Sequence, residues 1–184
     1  MKKAGAAILA LVILACGALL CAKPYERAVV YPKKYSDLIE KYSAEYGLEE
    51  NLLYAVVCTE SGFDKDAVSD AGAIGLTQIT EETYDWIKWK LGDKGQFSDL
   101  FEPEISVRYG AYFMGFLLAD FGDYRTAAAA YHAGRAKVHS WLENGEYSSD
   151  GETLDAIPSK DTAHYVAKIT RAYEKYNSLY DKGE

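Results

Sequence analysis

Cysteine is scarce, and its placement excludes a disulfide framework. Of three cysteines in 184 residues, Cys16 and Cys21 fall in an N-terminal apolar stretch, which leaves Cys58 alone in the rest of the chain. One thiol makes no intramolecular bridge, so stability has to come from a packed core. Cys58 stands two residues before Glu60 in an apolar run and reads as a core residue, not a nucleophile. Histidine is equally sparse. His132, His139 and His164 are scattered, no histidine or cysteine cluster has metal-ligand spacing, and nothing in the sequence calls for a metal or another cofactor. Positive charge is also lacking. Two of the 20 lysines and arginines are Lys2 and Lys3, so from Lys23 onward 18 basic residues face 28 acidic ones, a net charge of −10. That balance excludes nucleic-acid binding as a main function. It equally disfavours adhesion by charge to an anionic polymer. No internal repeat and no break in composition marks a second domain.

What is present is hydrophobic. Such residues make up 49% of the chain, enough for one membrane-proximal segment and one well-filled domain. Ala4 to Ala22 is uncharged and follows Lys2 and Lys3. Its length matches the roughly 20 residues that a bilayer-spanning helix needs. The reading is export, with the segment as a signal anchor or signal peptide. Ile13-Leu14-Ala15-Cys16 resembles a bacterial lipoprotein cleavage box, but Leu14 is bulky for that pattern and the apolar run continues through Leu19, Leu20 and Cys21. An uncleaved anchor is therefore favoured over cleavage, or lipidation at Cys16. Residues 23–32, with Pro24 and Pro32, read as a tether, and residues 33–184 as one folded domain.

Within that domain the apolar periodicity is almost everywhere helical. Tyr35, Leu38, Ile39, Tyr42 and Tyr46 lie on one stripe before Gly47. Leu52 to Val57 are apolar all round, which predicts a central helix ended by Gly62. Asp64 to Thr80 carries Gly72 and Gly75 without a stripe and reads as an irregular loop with at most a short strand. A helix starting at Thr80 or Glu81 stops at Gly92-Asp93-Lys94-Gly95. Pro103 suits a first helical position, and Ile105 to Leu117 continue the pattern to Gly122. Arg125 to Ala133 is a small alanine-rich helix, Val138 to Leu142 a shorter one, and Asn144 to Gly151 a polar loop. A last helix is expected from about Asp161 to Tyr180. The fold class is mainly α.

Glu60 is the residue most suited to chemistry. It follows Leu53, Ala55, Val56, Val57 and Cys58, and desolvation in such surroundings raises a carboxyl pKa. It also occupies a last helical turn, where the negative end of the macrodipole disfavours a second negative charge. Both effects favour a protonated acid near neutral pH, the state a general acid needs. The competing reading is a solvated glutamate at a helix end, and spacing alone does not decide between them.

The surrounding blocks do. Glu60-Ser61-Gly62, then Gly72-Ala73-Ile74-Gly75-Leu76-Thr77-Gln78-Ile79, then Leu100 to Gly110, then Ala130-Tyr131-His132-Ala133-Gly134, and last Thr162-Ala163-His164-Tyr165-Val166 occur in that order. Together they resemble the lytic transglycosylase family, which has a lysozyme-like α(+β) fold, is related to goose-type lysozyme and cleaves the glycan strands of bacterial peptidoglycan. The likeness spans about Tyr35 to Tyr176. It implies Glu60 as catalytic acid and then base, with Ser61 orienting Glu60 or the substrate's N-acetyl group. Gln78 would hydrogen-bond the sugar from a turn in which Gly75 lets ligand approach the backbone. Tyr131 and Tyr165 would line the cleft and hold the acid or polarise the acetamido group. Thr77 and Thr80 replace methionines common in the family, Glu81 stands where a proline is frequent, and His132 replaces the usual asparagine, which opens the site to pH sensitivity.

Most glycosidases use two carboxylates. No second one here has a family-backed place opposite Glu60; Asp64, Asp66 and Asp70 lie in the loop. The family's mechanism does without it, because the substrate's own C6 hydroxyl attacks and leaves a 1,6-anhydro sugar. The resemblance thus implies a lyase acting on the MurNAc–GlcNAc bond, working as a monomer on peptidoglycan strands, and the Ala4–Ala22 run would hold it at the outer face of the cytoplasmic membrane. Its rivals are a goose-type hydrolase with Asp70 positioning a water, and a membrane-anchored module that binds glycan without cutting it.

Overall fold

Glycine sets where the helices stop. A computed structural model describes residues 23–180, and in it α1 (Ser36–Tyr46), α2 (Glu50–Ser61), α3 (Glu81–Leu91) and α4 (Pro103–Phe121) each end on a left-handed glycine whose N–H returns to a carbonyl of the last turn. A 3₁₀ turn, Phe97–Phe101, joins α3 to α4. Then follow α5 (Tyr124–Ala133), α6 (Arg135–Leu142) and α7 (Lys160–Tyr180). The starts are chemically specified too. Thr80 caps α3 by accepting from Thr83 N, Asp123 caps α5 by accepting from Thr126 N at 2.8 Å, and Pro103 occupies the first turn of α4.

The core is built around α2, whose residues Leu52 to Val57 are all buried. Its most extensive partner is α7, against which Tyr54 stacks on Tyr176 at 5.2 Å between ring centres. On another side α4 packs with α1 and α5. The run Ala127 to Ala130 is completely buried, and side chains this small let α5 lie close to both α4 and α7. A second cluster, containing Ile74, Ile79, Tyr84, Ile87, Leu100 and Tyr109, fixes α3 and the loop before it. Arg108 anchors this region by pairing with Asp93 at 2.7 Å. The main-helical class is as expected. Where the sequence allowed a short strand, the loop makes only two isolated antiparallel bridges, Val68 with Ile74 and Ile74 with Ile79.

The segment read as a tether has structure of its own. Residues 23–30 are helical, with a π-helical stretch Glu26–Val30, and they lie against the end of α7. Lys175 Nζ meets Glu26 Oε1 at 2.8 Å, the Tyr180 hydroxyl donates to the Arg27 and Tyr31 carbonyls, and the Arg27 guanidinium donates to the Leu179 carbonyl. The proposed anchor, Ala4 to Ala22, lies outside the described residues. Among the described residues no helix is long and apolar enough to cross a membrane.

Candidate active site

The last turn of α2 delivers Glu60 to the mouth of the loop between α2 and α3. Gly62 ends the helix at φ 60°, so the chain turns back over the carboxylate's own turn. Ser61 secures that turn. Its hydroxyl lies 2.9 Å from the Leu76 carbonyl and 3.3 Å from the Val57 carbonyl, and it accepts from Phe63 N at 3.2 Å. The sequence assigned Ser61 to orienting Glu60 or a substrate acetamido group; in the fold its bonds run to backbone and dock the loop on the helix end.

From α7, Tyr165 reaches this turn, and its hydroxyl donates to Glu60 Oε1 at 2.6 Å. From α5, Tyr131 donates to the Thr77 carbonyl at 2.7 Å. α7 thus reaches the Glu60 carboxyl directly, while α5 is tied to the loop between α2 and α3. Burial pushes Glu60 up to about 7, and the Tyr165 hydrogen bond offsets part of that rise by stabilising the carboxylate. Both phenols are driven well above their usual range, first by burial and then by the Glu60 charge, so each remains a neutral donor at any working pH. Glu60 thus has the environment that the sequence implied, an apolar helix end. The phenol bond held against it was not visible from composition or spacing.

Gln78 occupies the loop in a left-handed conformation, φ 49°, uncommon for a residue with a side chain. Its amide nitrogen donates to the Gly75 carbonyl at 2.9 Å and the Ala67 carbonyl at 3.1 Å. Those bonds hold the strained turn and fix the amide's orientation. Gly75 serves the fold here. It has φ 77°, and a Cβ built on it would lie 2.1 Å from the Leu100 carbonyl oxygen, so the close approach is to protein backbone.

The departures from the family blocks are accommodated locally. Thr77 is completely buried, and its hydroxyl donates to the Ser106 carbonyl at 2.8 Å while its N–H donates to Ser106 Oγ at 3.2 Å. A hydroxyl in place of a thioether needs such a partner. Ser106 was not singled out from the sequence, although a serine between Ile105 and Val107, four residues before Gly110, marks a polar spot on a core face. Thr80 provides the α3 cap. His132 makes no bond to Glu60. Its Nδ1 lies 3.2 Å from Thr162 Oγ1 and its ring rests on Tyr165 at 4.7 Å. Burial holds its pKa below the usual imidazole value, so it is neutral at pH 7. Asp70 is exposed, Asp64 caps its own turn by accepting from Asp66 N, and Asp66 pairs with Lys65. Among the described residues no three histidine, cysteine, aspartate or glutamate side chains gather as a metal site requires.

Comparison with known proteins agrees with this constellation. The family described as "Transglycosylase SLT domain" matches residues 37–153, more than half of the chain. The soluble lytic murein transglycosylase of Salmonella typhimurium is 29% identical over 150 residues, covering 79% of this chain and 23% of that protein. Membrane-bound lytic murein transglycosylase C of Yersinia pestis is 29% identical over 166 residues, covering 78% and 46%. Among solved structures, the 70 kDa soluble lytic transglycosylase of Escherichia coli superposes with a TM-score of 0.74 at 26% identity, covering 83% of this chain and 25% of that one. An inactive mutant of the Pseudomonas aeruginosa lytic transglycosylase Slt gives 0.73 at 25% identity, covering 84% and 25%. This chain therefore spans about a quarter of the soluble relatives and under half of the membrane-bound one. A match across most of the folded part, in sequence and in fold, places the chain in the transglycosylase SLT domain family.

Proposed function

We propose that the protein is a peptidoglycan lytic transglycosylase, and the observation that carries this reading is a single carboxyl group, Glu60, held by Tyr165 and pushed to about 7 in an otherwise apolar helix end. A group with that value is partly protonated at neutral pH and regains a proton readily, as one residue acting first as acid and then as base must. Glu60 gives its proton to the glycosidic oxygen between N-acetylmuramic acid and N-acetylglucosamine as the bond from that oxygen to C1 breaks. The substrate's acetamido carbonyl supports the positive centre. The C6 hydroxyl of the same sugar then bonds to C1, and its proton passes to the Glu60 carboxylate, which restores the acid. No water is consumed.

The remaining residues hold this arrangement in place. Tyr165 is a positioning residue for Glu60. Tyr131, tied to the Thr77 carbonyl, walls the cleft beside it. Gln78 has its nitrogen committed to the loop, which leaves Oε1 as the group a sugar N–H or O–H meets. Ser61 acts through the loop it fastens, and His132 through its tilted ring contact with Tyr165. The hydrolytic rival requires a base for water, and the exposed Asp70 is its only nominee.

The same reading extends to location. Residues 33–184 form the catalytic domain, acting as a monomer at the outer face of the cytoplasmic membrane, with Ala4–Ala22 as anchor.

Glu60→Gln tests the assignment of the acid. Turnover of purified peptidoglycan should fall by about three orders of magnitude, within the usual range for a lost general acid, while binding of glycan persists. Near-normal cleavage by a folded variant would refute it.

A further inference from the structure

The segment docked on the end of α7 is inside out for a helix on a water-surrounded domain. Its polar side faces the protein. Glu26 meets Lys175 at 2.8 Å, and the Arg27 guanidinium donates to the Leu179 carbonyl and lies over the Tyr180 ring at 5.3 Å. Its apolar side faces out. Tyr25 is 60% exposed, Val29 59% and Val30 42%, three of the five exposed large hydrophobic residues among those described. Tyr31 N returns to the Glu26 carbonyl, the i→i+5 bond of a π-helix, so side chains four and five positions apart stand on one side. Tyr25, Val29 and Val30 therefore form one patch. Charge is divided in the same way. Residues 23–34 carry Lys23, Arg27, Lys33 and Lys34 against Glu26 alone, while residues 35–184 carry 14 basic and 27 acidic side chains. Lys33 is half-buried over the Tyr54 and Tyr180 rings and shares its surroundings with Glu49 and Glu50. Lys23 and Lys34 are exposed and enter no ion pair among the described residues.

We infer that the outer side of residues 23–34, with Tyr25, Val29 and Val30 at its centre and Lys23 and Lys34 flanking them in sequence, is a surface that lies on the anionic headgroups of a phospholipid bilayer. The inference rests on the reading of Ala4–Ala22 as an anchor and adds to it a second contact, one that fixes how the domain stands on the membrane. Tyr25 comes three residues after Ala22, and three residues of extended chain span at most about 11 Å. A bilayer held by the apolar run therefore lies within reach of the patch. A tyrosine with two valines suits the boundary between acyl chains and headgroups, where the ring is buried and its hydroxyl stays wet. The exposed lysines add attraction to anionic lipid over a Debye length, and the acidic remainder of the domain is repelled from the same surface. Apolar patch and positive charge thus meet the membrane together and turn the rest of the domain away from it. A second copy of the chain fits less well, since a two-fold contact brings the same basic surface to both sides.

Full-length protein reconstituted in vesicles of phosphatidylcholine with phosphatidylglycerol, carrying Val29→Trp, tests this. Flotation first shows that the protein stays with the vesicles. Emission from Val29→Trp, after subtraction of the parent protein's three tryptophans, should then be quenched about twofold by lipid spin-labelled near the headgroup. Val68→Trp, at a valine 64% exposed in the loop before α3, should stay unquenched. Adding Lys23→Glu and Lys34→Glu should move the balance away from the apposed state by about tenfold and remove most of the quenching. All these positions are exposed, and an unchanged melting curve verifies that the fold is kept. Protein that floats but shows no quenching at Val29→Trp would overturn the surface and leave the anchor standing. Failure to float would overturn both. Equal quenching on phosphatidylcholine alone, or none lost on charge reversal, would refute the headgroup assignment, and equal quenching at Val68→Trp would mean general adsorption in its place. Shielding of Val29→Trp from iodide that followed protein density in the vesicles, with no quenching by lipid, would give the patch to a second copy.

Discussion

A carboxyl group with an apolar surround and one phenol donor carries opposing pressures, and their balance sets its working pH. Burial raises Glu60 to about 7; the Tyr165 hydroxyl pulls it back by favouring the charged form. On the proposed mechanism cleavage needs the protonated acid, so the rate should fall as pH rises through about 7, where the proton leaves. Tyr165→Phe removes a stabiliser of the carboxylate, which raises the Glu60 pKa further and moves the falling limb to higher pH. The pH dependence of kcat for the two proteins checks the sign. A limb that stayed in place, or moved to lower pH, would mean that Tyr165 does not act on Glu60. His132 does not supply this limb, because its own pKa lies below the usual imidazole value.

At the scale of elements, the geometry of the candidate site depends on how the loop between α2 and α3 is pinned. Ser61 holds it to α2, Tyr131 to α5, and Thr77 with Ser106 to α4. Gly75 is where the packing is tightest, with a positive φ and the Leu100 carbonyl in the position of a Cβ. Gly75→Ala should therefore destabilise the protein by about 2–4 kcal/mol, from backbone strain plus overpacking, as read from chemical denaturation. A loss below about 0.5 kcal/mol, the range of ordinary surface changes, would contradict this account of the loop. Much of this scale was legible in the sequence. The helix stops at Gly47, Gly62, Gly92 and Gly122 were readable because glycine's freedom at positive φ is a local property. The bonds from Tyr165 to Glu60 and from Tyr131 to Thr77 were not, since they span 105 and 54 residues of chain and depend on packing. Residues 23–30 escaped for a different reason. Their contacts with α7 are polar and backbone-directed, while Tyr25 and Val29 face solvent, so no apolar stripe announced a helix. Pro24 was taken as part of a tether, yet residues 23–25 are helical.

For the whole molecule, residues 23–30 are docked on α7 through the Lys175–Glu26 ion pair and hydrogen bonds. With Lys2 and Lys3 ahead of an uncharged run to Ala22, the full-length protein should fractionate with the cytoplasmic membrane. A shortened protein in the medium would indicate a cleaved signal peptide, and a lipid-labelled one processing at Cys16; either would contradict an uncleaved anchor. The acidic surface has a consequence at the same scale. Recognition of a wall polymer has to come from hydrogen bonds and aromatic faces, and the chain carries 16 tyrosines and three tryptophans for both the core and the cleft.

The central claim, that one carboxyl group runs the reaction without water, is tested most directly by the mass of the products. An intramolecular C6 hydroxyl enjoys a large effective concentration over solvent, and Asp70, the candidate for preparing a water molecule, is exposed in the loop. Digested peptidoglycan should yield fragments ending in 1,6-anhydro-N-acetylmuramic acid, lighter by one water than hydrolysis products, and Asp70→Asn should leave that outcome unchanged. Reducing-end N-acetylmuramic acid as the main product, with activity lost in Asp70→Asn, would contradict the account and establish a hydrolase.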